Sequence, residues 1–365
     1  MLALFLALSF EAITLPVDEA VPLCTPAVQQ VTADCAALGP GAYWAGVAAA
    51  GLPTEDEPAP VAWQDVPANV LPWKYGRVVT AEAPVFDTPE AALANTPART
   101  LGTGFVFVNL VEGLQAGDLA LYQIRSGEYI RAVDVTPIEA TRFQGVAITA
   151  LPQRPFGWVV RAVRPSPLPG VAADTSVRRI GRGNLIQIYG TVMVDGWNWY
   201  QIGPGQWIEQ RSVSVVNINP VPQGVSGRWV QVDLYEQTLV AYEDGTPIFA
   251  TLVSSGLDKW RTEPGLFQIY ARLKADRMSG AYAPDRSDYY ALEMVPWVMY
   301  FDGDRALHGE YWHDGLGFKR SHGCVNLSPA DARWLFDWSA MGTWVWVYDP
   351  SDGGTHADVA PAEGP

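Results

Sequence analysis

Cationic side chains are in short supply in this sequence. Twenty-four Lys and Arg stand against 39 Asp and Glu, a formal net charge of −15. That balance excludes a nucleic-acid partner held by phosphate contacts. No basic residue precedes Lys74. The apolar run Leu2–Phe10 therefore has the middle of a signal peptide without its positive lead-in. A truncated signal segment over residues 1–15 and a buried element both stay open. Apolar runs of membrane-spanning length are missing, which predicts a mature form without a membrane span. Histidine and cysteine are scarce too, four and three residues in 365. Three of the histidines and one cysteine, His308, His313, His322 and Cys324, fall in the single segment His308–Asn326.

Such crowding marks a site. A thiol attacks only as thiolate and needs a neighbouring base or positive charge, and imidazole is the base suited to neutral pH. In an extended segment His322 and Cys324, two apart, share a side. Gly323 between them allows backbone amides to approach a developing oxyanion. His308 comes in from a separate strand or turn. A cysteine, one or two bases and a backbone hole are the equipment of acyl transfer. Three histidines and a cysteine are also a legal zinc set, but His322 and Cys324 stand too close for the usual paired-ligand spacing. The reading is metal-free and cofactor-free.

His308, twelve intervening residues, then Ser321-His322-Gly323-Cys324-Val325-Asn326 resembles the signature of the L,D-transpeptidases, which cross-link bacterial peptidoglycan through a cysteine. Trp229–Leu234, Gln237-Thr238-Leu239, Val253–Gly256 and Thr262–Phe267 also resemble that domain, so the likeness covers residues 224–349. It implies a mainly β catalytic sandwich with a short helix after the cysteine motif. It also implies Cys324 as nucleophile, His308 as general base with His322 beside it, and an oxyanion hole in the backbone around Gly323 and Cys324. Ser321 and Asn326 are supporting residues and His313 a further candidate. Tyr282, Tyr311 and Trp312 are candidate substrate contacts, and residues 275–300 a lid or surface insertion. The implied partners are peptidoglycan stem peptides, and the implied place is the wall or extracellular space of a bacterium. The alternatives are an L,D-carboxypeptidase using water and a non-catalytic wall-binding protein. The oligomeric state stays open.

Before that domain, residues 16–72 hold Cys24 and Cys35 with ten residues between them and an acidic, proline-bearing stretch at Thr54–Pro60. In an exported protein a Cys24–Cys35 disulfide is the natural pairing and leaves Cys324 as the free thiol. Residues 73–150 and 151–220 read as two copies of one unit. Tyr122-Gln123-Ile124 recurs as Tyr200-Gln201-Ile202 at an offset of 78, and Gly76–Val79 as Gly157–Val160 at 81. Short alternating runs bounded by Gly and Pro suggest small barrels, and their aromatic ends resemble bacterial SH3-like domains. Trp197, Trp199, Tyr200 and Trp207 either stack on the wall or fill the barrels. Asn219–Gly224 is a stiff connection. Ser328–Asp331 opens a helix that Gly342 ends, with Trp334, Leu335, Trp338 and Met341 as its core stripe. Residues 350–365 read as a tail.

Overall fold

The structure is a computed structural model that describes residues 61–62, 71–152, 154–281 and 283–351. Cys24, Cys35, the N-terminal apolar run, the acidic proline stretch, Tyr282 and the end of the chain from residue 352 lie outside the described residues.

From Arg228 onward the chain builds two facing β-sheets and a helix. In the first sheet Arg228–Asp233, Thr238–Glu243 and Thr246–Leu252 run antiparallel in sequence order. Arg228–Asp233 also pairs in parallel with Trp344–Tyr348, and Gly265–Gln268 closes that edge. Asp244 and Gly245 join two of these strands with φ of 50° and 81°, the left-handed pair that a two-residue hairpin turn requires. In the second sheet Tyr290–Asp302 is flanked by Ala271–Gly280 and Arg305–Gly309, and Val325–Leu327 pairs in parallel beyond the latter.

The sheets meet over one core. Val230, Val232, Leu239 and Phe249 from the first pack with Met299, Phe301, Leu307, Val325 and Leu327 from the second. The helix Pro329–Trp338 adds Ala332 and Leu335 to the same core. Its start follows from local chemistry. Ser328 caps it, accepting from the Asp331 amide at 3.2 Å, and Pro329 supplies the preset φ of a first helical residue. It stops at Trp338, four residues before Gly342, because Ser339 is already extended at φ −76°, ψ 168°. Gly342, with φ 84°, instead makes the turn into Trp344–Tyr348. Met341, expected in the helix's apolar stripe, is exposed for the same reason.

Arg228–Asp233 is buried on both faces apart from Arg228. Alternation sends Val230 and Val232 into the sandwich and Trp229 to the other side. There Trp229 stacks on Tyr242 at 3.9 Å and joins a second core with Phe156, Trp158, Val160 and Leu185. The segment around residues 156–216 thus covers the outer face of the first sheet. Leu316 and Phe318, from the loop before Cys324, are buried in this second core as well. The earlier segment engages the other sheet, where Phe105–Phe107 pairs in parallel with Tyr290–Leu292.

Two series of elements in these residues follow the same order. Leu119–Ile124, Tyr129–Arg131, a 3-10 turn at Ala132–Asp134 and Val135–Ile138 form one series. Trp197–Gly203, Gln206–Glu209, a 3-10 turn at Gln210–Ser212 and Val213–Val215 form the other. Each has its own small apolar cluster, around Ile124 and Ile130 in one and around Ile202 and Ile208 in the other.

Candidate active site

Two parallel strands organise the site. Leu307 pairs with Val325, His308 with Asn326 and Gly309 with Leu327. Carried one step back, this register sets Ala306 beside Cys324. Paired residues project to one side of a sheet and alternate residues share it. Cys324 and Asn326 therefore lie on the same face as Ala306 and His308. Tyr300, paired with Ala306 on the next strand, extends that row. The helix packs onto this part of the sheet over Gly309: a β-carbon there would be 2.9 Å from Pro296 and 3.3 Å from Ala332 of the helix.

His308 is buried, and its Nδ1 lies 3.0 Å from the Gly309 carbonyl oxygen. A carbonyl only accepts, so Nδ1 carries the proton and Nε2 keeps its lone pair. Burial pushes the His308 pKa down to about 4, so the imidazole is neutral at neutral pH and ready to take a proton.

His313 has the opposite tautomer. Its Nδ1 accepts from the Gly315 amide at 3.0 Å, so Nε2 bears the hydrogen and faces the Asn326 carboxamide at 3.2 Å. The partner such a donor needs is Asn326 Oδ1, which a half-turn of the carboxamide supplies without moving other atoms. His313 therefore has no free lone pair. Burial and the charges of Arg320 and Arg182 hold its pKa down to about 3. From sequence spacing it sits off the shared face; in the structure it is tied to that face through Asn326.

Cys324 is half-buried and is the free thiol among the described residues. Its Sγ lies 3.8 Å from the Asp304 carbonyl. Burial pushes the thiol up to about 11, against a hydrogen bond from the Ala306 backbone and the charge of Arg305 that favour the thiolate. The lowered pKa expected of a nucleophilic cysteine is thus absent in this state. Arg305 is fixed by the Arg261 carbonyl at 3.1 Å and by Asp302 at 2.6 Å. It leaves a β-carbon at Gly323 only 3.2 Å from its Nε.

The segment before Cys324 is bent, not extended. Gly323 has φ 117°, so the two-residue spacing of His322 and Cys324 does not put them on one strand face. Instead the His322 ring stacks on Trp260 at 3.7 Å and approaches Tyr290 at 4.8 Å. Burial lowers its pKa to about 4. Ser321 staples the bend, its Oγ donating to the Cys324 carbonyl at 2.5 Å and accepting from the Gly323 amide at 3.1 Å. Thr262 donates to the Gly323 carbonyl at 2.8 Å. The Gly323 amide, expected in the oxyanion hole, is therefore engaged by Ser321.

The remaining candidates divide. Tyr311 is fully buried, stacked on Tyr75 at 3.5 Å with its hydroxyl on the Glu293 carbonyl; it is an internal prop and not a substrate contact. Trp312 is half-buried, 5.7 Å from the His308 ring. The stretch read as a lid is an antiparallel hairpin, Ala271–Gly280 on Tyr290–Asp302, whose strand resumes at Tyr290 and not at Val295. Residues that spacing alone did not single out are Trp260, Tyr300 and Arg305. The Asp302-Gly303 turn just before the His308 strand was the available signal for Arg305.

The loop between the two strands is held from behind. Arg182 pairs with Asp314 at 2.8 Å and donates to the Leu316 carbonyl at 2.5 Å. Thr141 donates to the other Asp314 oxygen at 2.8 Å. Arg161 lies 5.4 Å over the Phe318 ring. Among the described residues no cluster of three or more metal-ligating side chains occurs.

Residues 227–347 match the family model of the YkuD type, the L,D-transpeptidase catalytic domain. This part of the chain is an L,D-transpeptidase catalytic domain. Among curated proteins the chain is similar to YciB of Bacillus subtilis (strain 168), a protein named as an L,D-transpeptidase, at 26% identity over 133 residues. The match takes in 30% of this chain and 59% of that protein's length. Among solved structures it is similar to an L,D-transpeptidase from Stackebrandtia nassauensis, 29% identical, over 36% of this chain and 60% of that one, TM-score 0.29. It is also similar to the E. faecium L,D-transpeptidase catalytic domain, 26% identical, over 34% of this chain and 99% of that one, TM-score 0.31. The L,D-transpeptidase domain carries Cys324, His308 and the capped helix together. Among the described residues no helix is long and apolar enough to cross a membrane.

Proposed function

We propose that the protein is a peptidoglycan L,D-transpeptidase in which Cys324 is acylated by a tetrapeptide stem. The observation that carries this reading is the shared sheet face of Cys324 and His308, with His308 Nδ1 bound to the Gly309 carbonyl and Nε2 left basic. The Cys324 sulfur attacks the carbonyl of the bond to the terminal D-alanine while its proton passes to His308 Nε2. With the Gly323 amide engaged by Ser321, the oxyanion is assigned to the Cys324 amide. His308 returns the proton to the departing amine, the C–N bond breaks, and D-alanine leaves. The amine of a second stem then attacks the thioester, loses its proton to His308 and regenerates the thiol.

The raised thiol and lowered imidazole pKa values make the resting pair neutral. Proton transfer then accompanies attack instead of preceding it. His322 with Trp260 and Tyr290 offers a stacked wall for the stem beside the cysteine. We read the two repeats as SH3-like units that hold the enzyme against the wall, on the recurrence of strands and 3-10 turn, and the protein as exported. Intact-mass spectrometry with a disaccharide-tetrapeptide tests the acylation step. An adduct on Cys324 of the stem minus D-alanine is expected, lost in Cys324→Ala and slowed about a hundredfold or more in His308→Gln. No adduct in the unaltered protein would favour a wall-binding role without catalysis.

A further inference from the structure

The second repeat contains a cavity of about 420 Å³, lined among others by Arg161, Arg164, Arg211, Trp199 and Trp207, with Glu209 as an acidic neighbour. Its wall is closed where Ser166 and Trp207 exchange backbone hydrogen bonds of 2.8 and 2.9 Å. The charge inside is not balanced. Arg211 is paired with Glu209 and lies 4.4 Å over the Trp197 ring. Arg161 has a buried Nη2 without a hydrogen-bond partner among the described residues. Arg164 has no ion-pair or hydrogen-bond partner among them either. Three arginines thus line one small cavity against a single carboxylate, in a chain of net charge −15. Burial and the neighbouring Arg211 both work against the charge on Arg161, and Glu209 works for it. Gathering like charges at a partly buried place costs stability; the Glu209 carboxylate and the Phe318 ring are what works against that cost here.

We propose that this cavity is a binding site for a carboxylate-bearing peptide, a free carboxylate of a wall stem, separate from the cysteine site. The proposal rests on the reading that the protein acts on peptidoglycan. Guanidinium groups match a planar carboxylate in a two-bond fork. The half-buried indoles of Trp199 and Trp207 offer apolar faces to the body that carries it. The volume suits a fragment of a few residues, within the range of small-ligand sites. The cavity also abuts the catalytic domain, since Arg161 lies over Phe318 in the loop before Cys324. A stem held here would be anchored next to the domain that processes it.

The test uses the full chain with Cys324→Ala, which removes acylation, and follows tryptophan fluorescence during titration. The probe is a disaccharide-dipeptide, which has free carboxylates and no terminal D-alanine bond. Its carboxyl-amidated counterpart and inorganic phosphate are titrated in parallel. Saturable binding of the free acid is expected, weakened tenfold or more in the amide, in Arg164→Ala and in Trp199→Ala, with Arg164→Lys in between. Arg164→Ala removes no internal bond, so its melting curve should match the parent. Equal binding of acid and amide, or unchanged binding in Arg164→Ala, would overturn the proposal. So would phosphate binding as tightly as the acid. Binding that follows the expected pattern in a protein whose unaltered form forms no acyl adduct would leave the cavity intact and refute only the transpeptidase reading.

Discussion

Reactivity of Cys324 as a function of pH discriminates between two states of the site. With the thiol pushed up to about 11, only about one molecule in a thousand is thiolate at pH 8. A cysteine at the ordinary value of about 9 would have roughly a hundredfold more. The more basic thiolate is intrinsically the stronger nucleophile, which returns about tenfold of that loss. Alkylation of Cys324 by iodoacetamide should therefore run about tenfold slower at pH 8 than that of an unhindered cysteine peptide. It should climb about tenfold per pH unit without a plateau below pH 10. Site-resolved mass spectrometry reads Cys324 apart from Cys24 and Cys35. Arg305→Gln should slow the reaction further, because it removes the charge that favours the thiolate. A plateau reached below pH 7 would refute the neutral pair and show a thiolate–imidazolium pair already formed at rest.

Other perturbations address the scaffold. Asp331 is fully buried at the start of the helix after the cysteine loop, accepting from Thr251 and from the Gly145 amide. Its pKa is raised by burial to about 6. A carboxyl bound more tightly to its proton when folded gives stability that is full below about pH 4 and lost as pH rises through 6. Unfolding titrations should show the parent losing about 3 kcal/mol relative to Asp331→Asn between pH 4 and 7; parallel curves would contradict this. Arg182→Ala should lower the unfolding free energy by about 2 kcal/mol and slow acylation of Cys324, because it leaves Asp314 with Thr141 alone and frees the Leu316 carbonyl in the loop. Arg182→Lys should keep part of both, and an unchanged acylation rate in the alanine variant would argue that the loop needs no support from Arg182. At Gly256 a β-carbon would lie 2.1 Å from the Trp260 carbonyl and 2.9 Å from Gly323 Cα. Gly256→Ala should therefore abolish adduct formation even where circular dichroism shows a folded chain.

What the sequence made legible was local. The Ser328-Pro329 helix start depends on a few neighbouring residues, and it sits where the chemistry of those residues puts it. The end of the helix was misplaced because Ser339 turns extended before the glycine that sequence favours as a stop. The bend at Gly323 was missed for a related reason: Ser321 locks a backbone shape that spacing rules for strands do not describe. The site's rear support was illegible. Nothing in Trp229–Leu234 says that Phe156, Trp158 and Val160 cover the outer face of its sheet. Tyr311 was indistinguishable from a substrate contact until Tyr75, more than two hundred residues away, proved to lie against it. Cys324 has an acidic residue and an arginine just upstream of its partner strand, and only the fold reveals that their effects oppose each other.

The most direct test of the account is product analysis of the purified protein with a disaccharide-tetrapeptide and an amine-bearing second stem. The account predicts release of D-alanine with formation of a cross-linked dimer, both absent in Cys324→Ala and strongly reduced in His308→Gln. Substrate returned unchanged, or D-alanine released equally by the Cys324→Ala protein, would contradict it.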